Sequence, residues 1–303
     1  MFNLKLSTMK NKFRILSALL LFSALVTSSL LFTSCGDDDD DNPPTDNKID
    51  PGTIATANLV AYFPFDGNAL EKIGNLTPAQ QPGVTYVAGR RGQAYQGADN
   101  AYLRYNLPDA SKTKNPKSHS LLPCGYNHQR LTVPLYPKIF EIGKSDDLFW
   151  GNLTLMIERL TEPGADSLFF KLHFKKVGAT WEGQWIELKS STYQVNKWMH
   201  LVYQYDATTS KFMIYKDGVK MTLPETTENR YADDQQTPLG ELNFVNADVL
   251  NIGAWRPKTD SGATDEWMGW FMGNLDELRV YDKALTATEV KDLYDAEVSQ
   301  ITL

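Results

Sequence analysis

Short apolar runs separated by turn-forming residues recur along most of the chain. Residues 59–65 are apolar and β-forming, and Asp66-Gly67-Asn68 closes them as a turn. Loose alternation over residues 89–105, through Ala94, Tyr95, Tyr102, Leu103 and Tyr105, predicts two short strands. Further strands are predicted at 149–160, 167–175, 181–189, 198–205, 211–215 and 250–254. Lys216-Asp217-Gly218 reads as a hairpin turn of the Asp-Gly type. The polar stretch 225–240, which carries Pro238 and follows Pro224, reads as a long loop. From Asn274 to Tyr281 the side chains alternate. Asp276, Leu278 and Val280 share one face, and Glu277, Arg279 and Tyr281 share the other. Thr286 followed three residues later by Glu289 is a capping box, and Val290, Leu293 and Tyr294 behind it fit one face of a helix. Many short strands with one closing helix predict an all-β, antiparallel two-sheet sandwich. No internal repeat and no second domain boundary is evident.

The first 34 residues do not belong to that fold. Lys5, Lys10, Lys12 and Arg14 form a basic region, and an apolar run over 15–32 follows it. The run ends L-F-T-S-C, which resembles a bacterial lipoprotein box with Cys35 as the lipidated first residue of the mature chain. A transmembrane anchor is the competing reading, since the run is about long enough to span a bilayer. Residues 35–53 then carry five consecutive aspartates and Pro43-Pro44, a composition that repels itself and stays extended as a tether. Acidic residues just after the lipidated cysteine resemble the export signal of surface lipoproteins in Bacteroides-like bacteria. The expected location is therefore the outer membrane, lipid-anchored and exposed on the cell surface, with a single acylated terminus that tethers without spanning. The expected domain occupies residues 54–303. A net charge of -7 without a basic patch excludes nucleic acid as a partner. With Cys35 assigned to lipid, Cys124 has no intrachain partner, so no disulfide framework is expected.

Three stretches carry a resemblance to a known family. They are L-V-A-Y-F-P-F-D-G-N-A at 59–69, N-K-W-M-H-L-V-Y-Q-Y-D at 196–206 with F-M-I-Y-K-D-G-V-K at 212–220, and G-N-L-D-E-L-R-V-Y-D-K-A-L-T-A-T-E-V at 273–290. Their order and spacing resemble laminin-G-like, concanavalin A-like jelly rolls across roughly 54–297. The resemblance implies a jelly-roll sandwich, a fold that hosts lectins, glycosidases and interaction modules alike. It also implies that the last strand returns near the first turn, so that Asp66, Asn68 and Asp276 often hold a structural Ca²⁺. The alternative is an Asx turn at Asp66 and a buried acceptor at Asp276.

Residues 115–136 break the pattern. Pro116, Pro123 and Pro134 are expected to forbid a central strand where the family places one of the form S-F-T-x-S-x-W-V. Read one nucleotide upstream, the codons allow S-F-T-x-S-L-W-V-Q-P. Both a compensated frameshift over about 118–136 and a genuine loop insertion stay open, and the nucleotide sequence decides between them.

Glycosidases of this fold use a pair of carboxylates on one strand. No E-x-D-x-E pattern occurs. Glu158 and Glu162 run into Pro163, Glu187 stands alone, and Asp276 and Glu277 face opposite ways. An enzyme is not expected. The four histidines are not clustered, and no metal-type spacing occurs. Aromatic rings that could stack on sugars are Trp150, Trp181, Trp185, Trp255, Trp267 and Trp270, with core packing as the competing role of each. Trp198, inside W-M-H-L-V, reads as core. The expected function is glycan binding that captures polysaccharide for uptake. The alternatives are a non-catalytic interaction or adhesion module that docks other envelope proteins and, third, a glycoside hydrolase.

Overall fold

The computed structural model describes residues 49–122, 127–128, 136–160 and 167–299. The targeting segment, Cys35, most of the acidic tether and Cys124 lie outside the described residues, so nothing here bears on lipidation. In chain order the strands are Leu59–Phe63 (β1), Thr85–Ala88 (β2), Gln93–Gln96 (β3), Leu103–Asn106 (β4), His119–Leu122 (β5), Asn127–His128 (β6), Lys138–Ile142 (β7) and Leu153–Leu160 (β8). Then follow Ser167–Lys175 (β9), Gly183–Gln194 (β10), Leu201–Asp206 (β11), Lys211–Lys216 (β12), Val219–Lys220 (β13), Val249–Ile252 (β14), Gly273–Leu275 (β15) and Leu278–Tyr281 (β16). Helices are Glu225–Glu228 (α1), Arg256–Asp260 (α2) and Ala287–Ser299 (α3).

The strands form two six-stranded sheets, β1-β16-β5-β11-β12-β13 and β10-β9-β8-β7-β14-β4, and a four-stranded sheet, β2-β3-β15-β6. The small third sheet adds to the expected two. Every pairing between named strands is antiparallel. Because strand side chains alternate, each large sheet turns one apolar face inward. Leu201, Tyr203, Tyr205, Phe212 and Ile214 of the first sheet share one core with Leu155, Phe170, Leu172, Phe174 and Ile252 of the second. The outer face of the first sheet packs against α3, where Val202, Tyr215 and Tyr281 meet Val290 and Leu293. The capping box forms as read. Thr286 N–H donates to Glu289 Oε2 at 2.8 Å, and Glu289 N–H donates to Thr286 Oγ1 at 3.2 Å.

Two expectations are corrected. β5 is a central strand, paired with β16 on one side and β11 on the other. It starts after Pro116 and stops directly before Pro123, so neither proline has to donate to the ladder. Residues 123–126 and 129–135 of the odd stretch lie outside the described residues. The alternation read over 274–281 is also interrupted. Glu277 has φ +53, which splits the run into β15 in the small sheet and β16 in the first large sheet.

Candidate functional site

The second large sheet sends alternate side chains of its strands outward. Leu155, Ile157, Leu172, Phe174, Ile186 and Leu188 face the core. Thr154, Met156 and Glu158 on β8, Lys171, His173 and Lys175 on β9, and Trp185 and Glu187 on β10 therefore face away from it. Two loops fold over this outer side. In the loop after β7, the Asp147 carboxylate accepts the N–H groups of Phe149 and Trp150 at 3.2 and 3.0 Å and pairs with Lys175. The second loop runs from Trp255 through α2 to Trp267. It is tied to the first half of the chain at Tyr136, whose N–H donates to Trp267 O at 3.1 Å and whose carbonyl accepts Trp255 Nε1.

Together they make an aromatic ridge. Trp150 meets Trp185 edge-on at 4.4 Å and Trp255 at 6.0 Å, and Trp255 meets Trp267 at 5.2 Å. Four of the six nominated tryptophans thus form one run. Trp255 is fully buried against Met156, Met268 and Phe149, so it is the packing centre of the ridge and offers no ring face to a ligand. Trp185 and Trp267 at the two ends are 40% and 38% exposed, and Trp150 is half-buried. Trp185 stands on the last strand of its sheet. Its ring lies 4.0 Å from the His173 ring, and Lys171 Nζ is 5.5 Å from its centroid. Burial, then the charges of Lys175 and Lys138, pushes the His173 imidazole down to about 3, so it is neutral at neutral pH.

Beside the Trp185 ring lies a spatial pair of carboxylates that local spacing did not reveal. Lys171 Nζ is 3.2 Å from Glu158 and 3.8 Å from Glu187. The ammonium occupies the space between them where a scissile bond would have to lie, so the pair reads as a polar rim and not as an acid and a nucleophile.

Under the loops lies a buried ion pair. Lys138 and Glu141 have no exposed side-chain surface and meet at 3.0 Å. Lys138 Nζ also donates to the Phe149 carbonyl and sits 4.4 Å from the Trp255 ring centroid. Burial pushes Lys138 down and Glu141 up, and each partner's charge opposes the other's shift. Regular alternation would put residues three apart on opposite faces. A bulge between Lys138 and Phe140 brings these two together, which is why the sequence pattern missed them. Arg256 anchors the second loop with a fork onto Asp248 at 2.7 and 2.6 Å and a bond to Asp260 at 2.9 Å, and Asp260 also accepts Arg104 at 2.7 Å.

The other two tryptophans lie elsewhere. Trp181, 43% exposed, is tied to the 225–240 loop through its N–H to Ala232 O at 2.9 Å. Trp270 stacks on Tyr102 at 5.9 Å with Lys258 5.1 Å from its ring centroid.

Asp66 and Asp276 meet at one place, the turn between β2 and β3. Asp66 Oδ1 accepts Gln93 N–H at 2.9 Å, and Asp276 Oδ2 accepts Arg91 N–H at 2.8 Å. Asp276 Oδ1 is buried without a partner, and burial, with Glu277 and Asp66 adding, pushes this carboxyl up to about 8. The Asn68 amide is engaged in its own turn, accepting Leu70 N–H and donating to Asp66 O, each at 3.0 Å. Among the described residues no group of three or more His, Cys, Asp or Glu is placed to hold a metal ion.

Residues 126–291 match the Laminin_G_3 family model, described as the concanavalin A-like lectin/glucanases superfamily. The chain belongs to this superfamily. No curated protein matches it. Among solved structures it is similar to the botulinum neurotoxin serotype D ligand binding domain in complex with N-acetylneuraminic acid, with 11% identity and TM-score 0.55, covering 81% of this chain and 52% of that one. A botulinum neurotoxin type C structure, whose title ties cell entry to interaction with two ganglioside molecules, matches with 10% identity and TM-score 0.56, covering 80% and 52%. The binding domain of botulinum neurotoxin DC in complex with rat synaptotagmin II matches with 12% identity and TM-score 0.54, covering 81% and 52%. The chain spans about half the length of these structures, and identities this low establish the shared fold alone. The fold is lectin-like, of a kind found in binding domains.

Proposed function

We propose that this chain is a non-catalytic glycan-capture module, held at the outer face of the cell by a lipid on Cys35 and displayed beyond its acidic tether. The observation that carries the reading is the Trp185 end of the ridge. A large ring, 40% exposed, is braced by His173 and flanked by Lys171, whose ammonium pairs with Glu158 and Glu187. A pyranose ring presents apolar C–H faces and an equator of hydroxyls. An aromatic platform flanked by donors and acceptors answers both. Trp267 supplies a second platform at the far end of the same ridge, which suits an extended chain of sugars. That the similar solved structures include one with bound N-acetylneuraminic acid, and one whose title names gangliosides, supports glycans as the ligand class.

A calcium ion at the β2–β3 turn is part of the same proposal. The residues fit in part, since Asp66 and Asp276 approach one turn and Asp276 Oδ1 is a buried oxygen without a partner, whereas Asn68 serves its own turn. The two carboxylates would hold the ion, which would neutralise them and fasten the turn to the last strands.

The experiment is a titration of the protein against plant, host and microbial polysaccharides, with and without chelator. Saturable binding to one class, lost in Trp185→Ala and retained in Trp270→Phe, is the expected result. A folded protein that binds none of them, or binding that survives Trp185→Ala and Trp267→Ala together, overturns the proposal. Capture of an envelope protein in that case would point to the interaction-module alternative.

A further inference from the structure

We propose that a cavity between β1 and β4 is a binding site for an apolar monoanion, of the class of medium-chain aliphatic or arylalkyl carboxylates. It shares no residue with the tryptophan ridge and does not depend on the glycan reading. β1 and β4 each stand at one edge of a large sheet. Their free edges are joined by the segment 71–80. Tyr62 N–H donates to Glu71 Oε1 at 2.9 Å, Lys72 N–H to Tyr62 O at 2.9 Å and Arg104 N–H to Gln80 O at 2.9 Å. Behind this strap the two sheets leave a cavity of about 390 Å³.

The size lies within the range of about 300–1,000 Å³ common to small-molecule sites. Its walls are Val60, Phe63, Leu76, Tyr105, Leu107 and Leu250, most of them residues of the main core. The apolar walls that face this gap forfeit dispersion contacts, and an apolar ligand restores them. Among the described residues the one carboxylate in the wall, Glu71, is fully engaged. Its oxygens accept the N–H groups of Tyr62, Ile73 and Gly74 at 2.9, 2.7 and 2.6 Å. At the rim the hydroxyls of Ser111 and Thr113 bond each other. Lys114 pairs with Asp109 at 2.9 Å. Lys112, exposed at the same rim, has no ion pair among the described residues. Lys112 thus brings a positive charge without an ion pair among the described residues to the opening, and the lining behind it is mostly apolar. A carboxylate at Lys112 with an alkyl or aryl body in the cavity satisfies both.

Calorimetric titration of the full-length protein with decanoate tests this, with decanol and shorter carboxylates alongside. Saturable one-to-one decanoate binding is expected, weakening about fourfold for each methylene removed. Lys112→Gln is expected to weaken decanoate about tenfold and leave decanol unchanged. Methyl resonances of Val60, Leu76, Leu107 and Leu250 should shift on binding. No saturable binding by the folded protein, equal effects of Lys112→Gln on acid and alcohol, or methyl shifts confined to other parts of the core would each overturn the proposal.

Discussion

His119→Phe measures how much the unusual fifth strand costs the fold. His119 is fully buried in β5, edge-on to Phe174 at 5.2 Å and 6.4 Å from Tyr205. Neither ring nitrogen has a partner among the described residues. An unpaired buried polar group costs about 1–3 kcal/mol. Phenylalanine keeps the planar ring and removes both nitrogens, against an overpacking cost of about 1 kcal/mol for its slightly larger ring. Net of that cost, the variant should gain about 0–2 kcal/mol at pH 8. Acid enlarges the gain. Burial pushes the imidazole from 6.5 down to about 3. As pH falls through 6.5 the unfolded chain takes up a proton that the folded chain refuses, so stability is lost progressively until about 3 is reached. At pH 5 this loss amounts to about 2 kcal/mol, and phenylalanine abolishes it. His173 and His200 are lowered by burial as well, but they weigh equally on both proteins and cancel in the comparison. Urea unfolding followed by tryptophan fluorescence at pH 8 and pH 5 gives the two differences. An advantage of equal size at both pH values, or a loss at both, refutes the argument. Phenylalanine is also what the shifted codon reading permits at His119–Ser120, so a stabilised variant and a permissive nucleotide sequence would point the same way.

Other perturbations test other parts of the molecule. Trp255→Ala removes the fully buried centre of the ridge and should cost about 3–5 kcal/mol in denaturant melts, whereas Trp185→Ala at the exposed end should cost under about 1 kcal/mol. Gly92 has φ +53, and a Cβ there would fall 2.0 Å from Asp66 Oδ1. Gly92→Ala should therefore destabilise by at least about 1–2 kcal/mol in thermal melts and displace Asp66 from Gln93 N–H. Arg279 is buried between Glu277, at 2.6 Å, and Glu297 of α3. Arg279→Ala removes the cation that joins the two carboxylates and should cost about 3–5 kcal/mol, read as early loss of α3 amide protection in hydrogen exchange.

Much of the architecture is legible in the sequence because it is local. The strands β9 and β12, the Asp217-Gly218 turn with φ +51 and +77, and the Thr286–Glu289 cap all appear where the pattern puts them. What escapes is set by long-range register. β7 follows directly on Pro137 and is bent by a bulge, so K-I-F-E-I shows no clean period of two. β5 carries histidine and serine in a central position that strand composition would not choose. Its Ser120 hydroxyl is nevertheless well placed, donating to Gln204 Oε1 at 3.0 Å and accepting Leu285 N–H at 3.1 Å. The tryptophans were individually visible, but what each does was not. Trp150, Trp185, Trp255 and Trp267 come from two loops and an edge strand. Only the folded sheet tells the buried Trp255 from its exposed neighbours.

The buried pair of Lys138 and Glu141 links that packing to the proposed function. Lys138 holds both a loop backbone, through the Phe149 carbonyl, and a ridge ring, through Trp255. A buried ion pair is a weak source of stability, because desolvation offsets most of the attraction. Its removal as a pair and its removal by halves should therefore differ. Lys138→Met leaves the buried Glu141 carboxyl without its ammonium partner and should cost about 3–5 kcal/mol. Lys138→Met with Glu141→Leu should return most of that. If the pair serves only packing, the double variant should bind glycan as the parent does. If it orients Phe149 and hence Trp150 against Trp185, the double variant should be stable yet bind about tenfold more weakly, since an interface group displaced by an ångström forfeits about 1.4 kcal/mol with little loss of fold. Denaturant melts and polysaccharide titrations on the same three proteins separate the two cases. A double variant as unstable as Lys138→Met would refute the premise that the ion pair positions the ridge more than it stabilises the sheet.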